Sequence, residues 1–221
     1  MLKTVIFDMD GVIIDSEAQH AKASLNTFKE LGVDTDLDYC KSFTGSSSKK
    51  MAETAIKDFS LDITTNALLD KLNLAKKKLH EKEGYIPVEG VDALIKRLYK
   101  DGVQLAIASS SSPKEIETVV KKLGIKKYFE KLVSASSVAN PKPSPDTFLL
   151  ALEKLGAAPE NTVIIEDSTF GVKAAKAANV ACIGFINPNS GNQNLNDADV
   201  LIESFDGIDK TFIENNLLRS Q

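Results

Sequence analysis

Six short apolar runs, most of them separated by patterns of helical period, constrain the fold more than any other feature of this sequence. The runs are Val5–Phe7, Val103–Ala108, Leu132–Val133, Val163–Ile165, Ala181–Phe185 and Val200–Ile202. Several are continuously apolar rather than alternating, which is typical of parallel strands that are covered on both faces. Helical spacing recurs between them, as at Val91, Leu94 and Leu98. This order predicts an α/β fold, a doubly wound parallel sheet with helices on both faces.

One long segment breaks the alternation. From Ser16 to Glu83 only helical patterns occur, and the stretch is far longer than a crossover between two strands requires. We therefore expect a small all-helical domain over residues 16–83, inserted after the first strand of a core formed by residues 1–15 and 84–221. The hinges are expected at Gly11–Asp15 and Gly84–Gly90.

Composition and charge narrow the class of protein. The chain has 221 residues, 43% of them hydrophobic, which is enough to bury the core of one sizeable domain with a smaller insert. A net charge of −4 gives no reason to expect nucleic acid or an anionic membrane surface as a partner. No stretch approaches the roughly 18 consecutive apolar residues of a membrane span, and the N-terminus lacks the pattern of a signal peptide.

Two further features bear on location and surface. Cys40 and Cys182 lie far apart and without metal-type spacing, so a reducing cytoplasm is expected. The short basic run Lys76–Lys78 is interpreted as a solvated helix face. We expect a cytoplasmic monomer.

Paired carboxylates follow the first apolar run. Asp8 and Asp10, with Gly11 behind them, would lie at the carboxyl edge of the sheet, where open α/β sheets bind their ligands. Two acids this close repel each other and lose hydration, so they require a metal, a proton or another cation nearby. Because Asp and Gly are also ordinary turn residues, this motif alone leaves a simple turn open.

Hydroxyl groups follow the second apolar run. Ser109–Ser112 come directly after it, and Ser112, Pro113 and Glu115 have the pattern of an N-cap, a first-turn proline and a third-position acid. Such a cluster at a helix N-terminus is suited to hold a phosphate, because backbone N–H groups and the helix dipole favour an anion. A serine-rich cap without a ligand is the alternative.

A lysine and a second acidic pair complete the set. Lys142 lies between Pro141 and Pro143 in a stiff loop that would position its cation, although a solvent-facing lysine is an alternative reading. Glu166 and Asp167 end the fourth run, where they could cap a helix or hold a hard cation such as Mg²⁺. In combination, these strand ends supply a nucleophile, an acid/base, an anion cradle, a cation and a metal ligand.

At these four places the sequence resembles the haloacid dehalogenase superfamily. The matching motifs are Asp8-Met9-Asp10-Gly11, Ser109, Lys142 and Glu166-Asp167. The helical segment resembles the helical cap of that superfamily. Ile14–Glu17 with His20, and Pro143–Phe148, are similar to its branch of β-phosphoglucomutases and sugar-phosphate phosphatases. The resemblance covers nearly the whole chain and implies a Rossmann-like core.

What the resemblance implies is Mg²⁺-dependent phosphoryl transfer. Asp8 would attack the phosphorus and become an aspartyl phosphate, while Asp10 would protonate the leaving oxygen and then accept a proton from the attacking water. Mg²⁺ would bind Asp8, the backbone carbonyl of Asp10, and Asp167. Glu166 would support that metal site.

The resemblance also implies where a substrate binds. Ser109, Ser110 and Lys142 would hold the phosphoryl oxygens and meet their charge in the transition state. Closure of the cap would exclude bulk water until the phosphoenzyme has formed. The substrate would be selected by cap residues, for which the candidates are His20, Gly45, Ser46, Ser48 and Lys49.

Phosphatase and mutase chemistry remain to be distinguished. The mutase branch carries a hinge histidine where His20 stands, which favours a mutase. Against it, the cap of a mutase grips a second phosphate with a lysine and an arginine, and Thr44 and Ser48 occupy those places. Ser112 likewise stands where the branch has a lysine. Lys49 or Lys50 could compensate by a one-residue shift, but lysine lacks the bidentate fork of arginine.

We therefore predict an Mg²⁺-dependent phosphatase of a small phosphorylated metabolite, a sugar phosphate. The alternative is a β-phosphoglucomutase that interconverts β-glucose 1-phosphate and glucose 6-phosphate. A non-enzymatic phospho-accepting signalling module is more remote, because such modules are much shorter and lack a helical insert. Asp10 also separates the chain from the dehalogenases themselves, which lack the second aspartate and need no metal.

Overall fold

The computed structural model describes residues 1–43 and 48–218. The strands are β1 (Thr4–Phe7), β2 (Gln104–Ser109), β3 (Lys131–Ser134), β4 (Thr162–Glu166), β5 (Ala181–Phe185) and β6 (Val200–Ile202). The α-helices are α1 (Glu17–Glu30), α2 (Leu37–Lys41), α3 (Ser48–Asp58), α4 (Thr65–Glu83), α5 (Val91–Lys100), α6 (Pro113–Lys122), α7 (Asp146–Leu155), α8 (Thr169–Ala177) and α9 (Lys210–Leu217). Short 3₁₀ turns cover Lys126–Tyr128, Ala135–Ser137 and Pro159–Asn161.

The six strands form one sheet in the order β3-β2-β1-β4-β5-β6, and every pairing is parallel. The predicted fold class and all six predicted strands are therefore confirmed. From β1 the strands continue outward through β2 to β3 on one side, and from β4 through β5 to β6 on the other, so the direction of the strand order reverses between β1 and β4. Ligand sites of open α/β sheets lie at the carboxyl ends of the strands at such a reversal.

Apolar side chains cover the sheet on both faces. Because side chains alternate along a strand, Val5 and Phe7 of β1 contribute to one buried cluster and Ile6 to another. The first cluster includes residues of α5, α6 and α9, and the second includes residues of α7 and α8. This two-sided burial explains why β1 and β4 are continuously apolar in the sequence.

Helices α1 to α4 pack around a third apolar cluster of their own. Phe28, Leu68 and Leu72 are fully or almost fully buried there. We propose that residues 16–83 form a domain separate from the core of residues 1–15 and 84–221, and the separate cluster supports this division. The two connections lie side by side, because the Asp15 N–H donates to the Ile86 carbonyl at 2.8 Å. None of the helices in the described part of the chain has the length and apolar character needed to cross a membrane.

Candidate active site

Lys142 joins the ends of β1 and β4. Its ammonium group lies 2.5 Å from Asp8 Oδ1 and 2.6 Å from Glu166 Oε1. It also donates to the Ala108 carbonyl at 3.2 Å, and it lies 4.8 Å from the ring centroid of Phe148. The lysine of the predicted third motif therefore does not face solvent. It is buried between two carboxylates at the carboxyl edge of the sheet.

Burial dominates the electrostatics of this group. The side chains of Lys142, Asp8 and Glu166 are 7%, 10% and 1% exposed. Burial, opposed by Lys142 and reinforced by the charges of Glu166 and Asp10, raises the pKa of Asp8 to about 7. Burial alone would lower the pKa of Lys142, but Asp8 and Glu166 together raise it above its ordinary value. The lysine therefore stays charged, and it is the cation that makes a buried carboxylate at Asp8 tolerable.

Glu166 is fully engaged with protein groups. While Oε1 contacts Lys142, Oε2 accepts from the backbone N–H groups of Asp167 and Ser168, each at 3.0 Å, and from the Ser168 hydroxyl at 2.9 Å. The Ser168 hydroxyl in turn accepts from the Gly171 N–H at 3.0 Å and caps α8. Glu166 thus fixes both Lys142 and the turn that carries Asp167.

Two glycines make room for these carboxylates. A Cβ at Gly11 would lie 1.9 Å from Asp167 Oδ2, and the backbone there has a φ of +85°. A Cβ at Gly171 would lie 1.8 Å from the carboxyl carbon of Glu166. Either substitution would force an acidic side chain out of the site, so the glycine of the first motif is required by close approach as well as by turn geometry.

Asp167 is held from the loop that follows β5. The Ser190 hydroxyl donates to its Oδ2. The same loop also contacts the first motif and the predicted hinge that follows it, because Asn187 Nδ2 donates to the Gly11 carbonyl at 2.8 Å and Asn189 Nδ2 donates to Asp15 Oδ2 at 2.6 Å. Burial and the neighbouring negative charges raise the pKa of Asp167 well above its ordinary value.

These residues fit a divalent cation such as Mg²⁺. Three carboxylates, those of Asp8, Glu166 and Asp167, are buried together. Among the described residues, Lys142 is the cation beside them, so negative groups outnumber positive ones. Within residues 1–43 and 48–218, no group of three or more His, Cys, Asp and Glu side chains is arranged to hold a metal by itself. Mg²⁺ is commonly bound through one or two carboxylates, with waters and a substrate phosphate completing its shell, so Asp8, Asp167 and the Asp10 carbonyl suit it.

The serine cluster after β2 divides into different environments. Ser109 is fully buried, and its hydroxyl accepts from the Ser111 N–H at 3.0 Å. Ser110 lines the cavity beside Asp8 and Lys142. The Ser111 hydroxyl donates to Asp10 Oδ2 at 2.8 Å. Ser110 therefore reaches the cavity, whereas buried Ser109 fixes the loop through its hydrogen bond with the Ser111 N–H.

A cavity of about 150 Å³ lies directly over the strand ends. Asp8, Asp10, Ser110, Lys142 and Asp167 line it, so most of the predicted core residues meet in one place. Its volume is several times the roughly 30 Å³ that one water occupies in the liquid, which leaves room for a phosphoryl group.

A larger cavity of about 500 Å³ opens beside it, between the core and the helical segment. His20 and Ser48, two of the predicted cap residues, line it. Lys49 is instead exposed, 3.9 Å from Glu53 on the same helix. Gly45 and Ser46 lie outside the described residues.

Lys76 of α4 is a residue of this cavity that the sequence interpretation missed. The run Lys76–Lys78 was expected to be a solvated face, and this holds for Lys77 and Lys78, which are exposed. It is wrong for Lys76, which is partly buried, lines the cavity, and has its pKa lowered by that burial. Three consecutive helix positions point in different directions, and only the packing of α4 on α1 shows which of them turns inward.

Ser190 and Phe170 were also missed, whereas Glu17 and Ser111 lie within motifs that the sequence analysis named but were not predicted as individual site residues. Glu17 lines both cavities, and Phe170, at the start of α8, is an exposed aromatic ring on the wall of the larger one. Ser190 could not be found from the sequence, because a single hydroxyl in a loop carries no pattern that indicates a functional site.

Burial lowers the pKa of His20 to about 3, with Lys76 adding to the effect. The imidazole is therefore neutral, and its Nδ1, 3.9 Å from Glu17, makes no ion pair.

Comparison with known proteins agrees with this geometry. The family model described as haloacid dehalogenase-like hydrolase matches residues 5–185, and the chain belongs to that family. It is similar to fructose-1-phosphate phosphatase YqaB of Escherichia coli, with 31% identity over 81% of this chain and 94% of that protein. β-Phosphoglucomutase of Bacillus subtilis is 28% identical over 83% of each chain. The crystal structure of CbbY from Rhodobacter sphaeroides in complex with phosphate is 29% identical, covers 94% of this chain and 96% of its own, and has a TM-score of 0.78.

Proposed function

We propose that this hydrolase is an Mg²⁺-dependent phosphatase of a small phosphorylated sugar, and that it acts through an aspartyl phosphate on Asp8. The observation that carries the proposal is the buried contact of Lys142 with both Asp8 and Glu166, beside Asp167 and under a cavity of phosphoryl size. The similarity to a fructose-1-phosphate phosphatase supports the substrate class.

Asp8 is the nucleophile in this proposal. Lys142 opposes the rise in the pKa of Asp8 and fixes the orientation of its carboxylate, and an ionised carboxylate attacks phosphorus more readily than a protonated one. In the transition state, negative charge spreads over the equatorial phosphoryl oxygens. The ammonium group of Lys142 and the polar groups of Ser110 would stabilise this charge. The bound Mg²⁺, held by Asp8, the Asp10 carbonyl and Asp167, would supply further charge neutralisation.

Asp10 carries the proton. It lines the same cavity as Asp8, three residues beyond the end of β1, and it would protonate the sugar oxygen as that oxygen leaves. After the sugar has left, the same carboxylate would accept a proton from the water that attacks the aspartyl phosphate. The two aspartates thus have different tasks although they are almost adjacent in sequence.

The helical segment of residues 16–83 acts as a cap in this proposal. His20, Ser48 and Lys76 face the larger cavity, which has room for the sugar, and they would select it. We propose a monomer located in the cytoplasm, and the two free, buried cysteines agree with a reducing compartment.

A β-phosphoglucomutase is the second candidate. One observation favours it: His20 and Lys76 place a hinge histidine and a cation together in the larger cavity, where a second phosphate could bind. The exposed position of Lys49 argues against a grip by that lysine.

The test is a panel of phosphorylated sugars with Mg²⁺, assayed separately for release of free phosphate and for isomerisation, with and without a bisphosphate primer. Release of phosphate that stops on chelation and returns with Mg²⁺ is expected. With p-nitrophenyl phosphate, whose leaving group needs no protonation, an Asp10→Asn variant should accumulate phosphate on Asp8 in an acyl linkage that hydroxylamine cleaves. Isomerisation without phosphate release would favour the mutase, and metal-independent turnover would contradict the Mg²⁺ site.

A further inference from the structure

The carboxylate of Asp10 has a hydroxyl donor beside it. The Ser111 hydroxyl, in the loop from β2 to α6, donates to Asp10 Oδ2 at 2.8 Å. Building on the proposed phosphatase function, we propose that Ser111 is a positioning residue that orients the carboxylate of Asp10 toward the leaving oxygen of the substrate.

The loop that carries Ser111 is itself fixed by two buried hydroxyl groups. The Ser111 N–H donates to Ser109 Oγ at 3.0 Å, and the Ser111 carbonyl accepts from Ser134 Oγ at 2.7 Å. Ser109 and Ser134 are almost completely inaccessible to solvent at the ends of β2 and β3. Since the sheet thus holds the backbone on both sides of the residue, the hydroxyl of Ser111 presents a fixed donor to Asp10.

Glu115 gives Ser111 a second carboxylate neighbour. Ser112 Oγ accepts from the Glu115 N–H at 3.3 Å, as expected for the start of α6, while the Glu115 side chain hydrogen-bonds with Ser111. A serine hydroxyl has one hydrogen, so it can donate to only one of two carboxylates at a time. Because the Ser111 hydrogen is directed to Asp10 Oδ2, the other oxygen of Asp10 is the one available for proton transfer.

The role can be tested by comparing two leaving groups. Protonation by Asp10 matters greatly for a sugar alkoxide and little for p-nitrophenolate, which leaves readily as an anion. The value of kcat/KM reports the steps up to phosphorylation of Asp8 and excludes hydrolysis of the phosphoenzyme. We would measure kcat/KM for fructose 1-phosphate, or for the sugar phosphate of the panel that turns over fastest, and for p-nitrophenyl phosphate.

Ser111→Ala should lower kcat/KM by about tenfold for the sugar phosphate and by less than about twofold for p-nitrophenyl phosphate, as expected for one lost hydrogen bond. Ser112→Ala, which removes only the helix cap, is the matched control and should not separate the two substrates.

An equal loss on both esters, no loss, or a gain for Ser111→Ala would overturn the proposal. Failure of the proposed function looks different. In that case the wild type would hydrolyse neither ester, or Asp10→Asn would not itself discriminate between the leaving groups. If the wild type and the Asp10→Asn variant behave as expected, the proposed function stands. The Ser111→Ala result then tests the positioning role alone.

Discussion

The sheet edge and the helical segment are built in contrasting ways. At the sheet edge, Lys142, Glu166 and Asp167 are buried and bonded to one another, to backbone groups or to the Ser190 hydroxyl. In the helical segment, the polar residues that face the cavity come from different helices, His20 from α1, Ser48 from α3 and Lys76 from α4, and they border open space.

This difference separates chemistry from recognition. Groups that must stabilise a developing charge are useful only if they are in place beforehand, so the sheet holds them rigidly. Groups that select a substrate can wait for a ligand to satisfy them, at a lower cost in stability. Substitutions in the two regions should therefore fail in different ways.

The largest effect is expected at the nucleophile. Asp8→Asn should reduce turnover of a phosphate ester by about 10⁴-fold or more, because an amide cannot form the phosphoenzyme. The melting temperature should change little, since the substitution is isosteric and removes a buried charge. Turnover and a thermal melt monitored by circular dichroism check the two statements; a variant that retained activity would remove Asp8 from the mechanism.

Removing the central cation should damage both activity and stability. Lys142→Met should lower kcat/KM by about 10³-fold and the free energy of unfolding by about 3 kcal/mol, because Asp8 and Glu166 would remain buried without their cation. The control is Lys176→Met, which breaks the exposed 2.6 Å pair with Asp199 and should cost less than about 1 kcal/mol. Urea unfolding measures both, and equal losses would contradict a special role for the buried pair.

A substitution in the helical segment should affect binding rather than stability. Lys76→Met should raise KM for the sugar phosphate by about tenfold, since it removes one charge-assisted contact from the cavity, and it should leave the melting temperature unchanged or higher. Lys77→Met, at an exposed position 3.8 Å from Glu81, is the matched control and should leave KM unchanged. If the two variants behaved alike, Lys76 would not contact the substrate.

The smallest effect concerns pH. The pKa of His20 falls from 6.5 to about 3 on folding, so between these values the unfolded chain binds more protons and stability drops as the pH falls. His20→Gln should therefore flatten the dependence of unfolding free energy on pH between about 6 and 4, by up to roughly 1.4 kcal/mol per pH unit. Urea titrations at several pH values test this, and parallel curves would show that His20 is already protonated in the folded state.

Prediction from the sequence also worked differently for the sheet edge and for the helical segment. The acidic motifs at the sheet edge are local, an apolar strand with carboxylates at its end, so Asp8 and Asp167 could be predicted as site residues without a structure. Lys142 was predicted from its proline-flanked loop, and the structure brings all three to one cavity. Lys76 could not be predicted, because its neighbours in sequence are identical in type and only tertiary packing distinguishes them. Ser111 was predicted only as part of a hydroxyl cluster, and its contact with Asp10 required the structure. Ser190 was missed because it holds an acid from a distant loop, and a lone serine has no pattern.

The adjacent ends of the helical segment have an architectural consequence. Since the Asp15 N–H and the Ile86 carbonyl lie 2.8 Å apart, the chain leaves the sheet and returns to it at almost the same point. A segment attached in this way can be lengthened, exchanged or deleted without changing the connectivity of the strands. Under the proposed role of this segment in substrate selection, substrate range would thus be open to exchange as a cassette, through recombination or in the laboratory, while the reaction centre at the sheet edge is inherited intact.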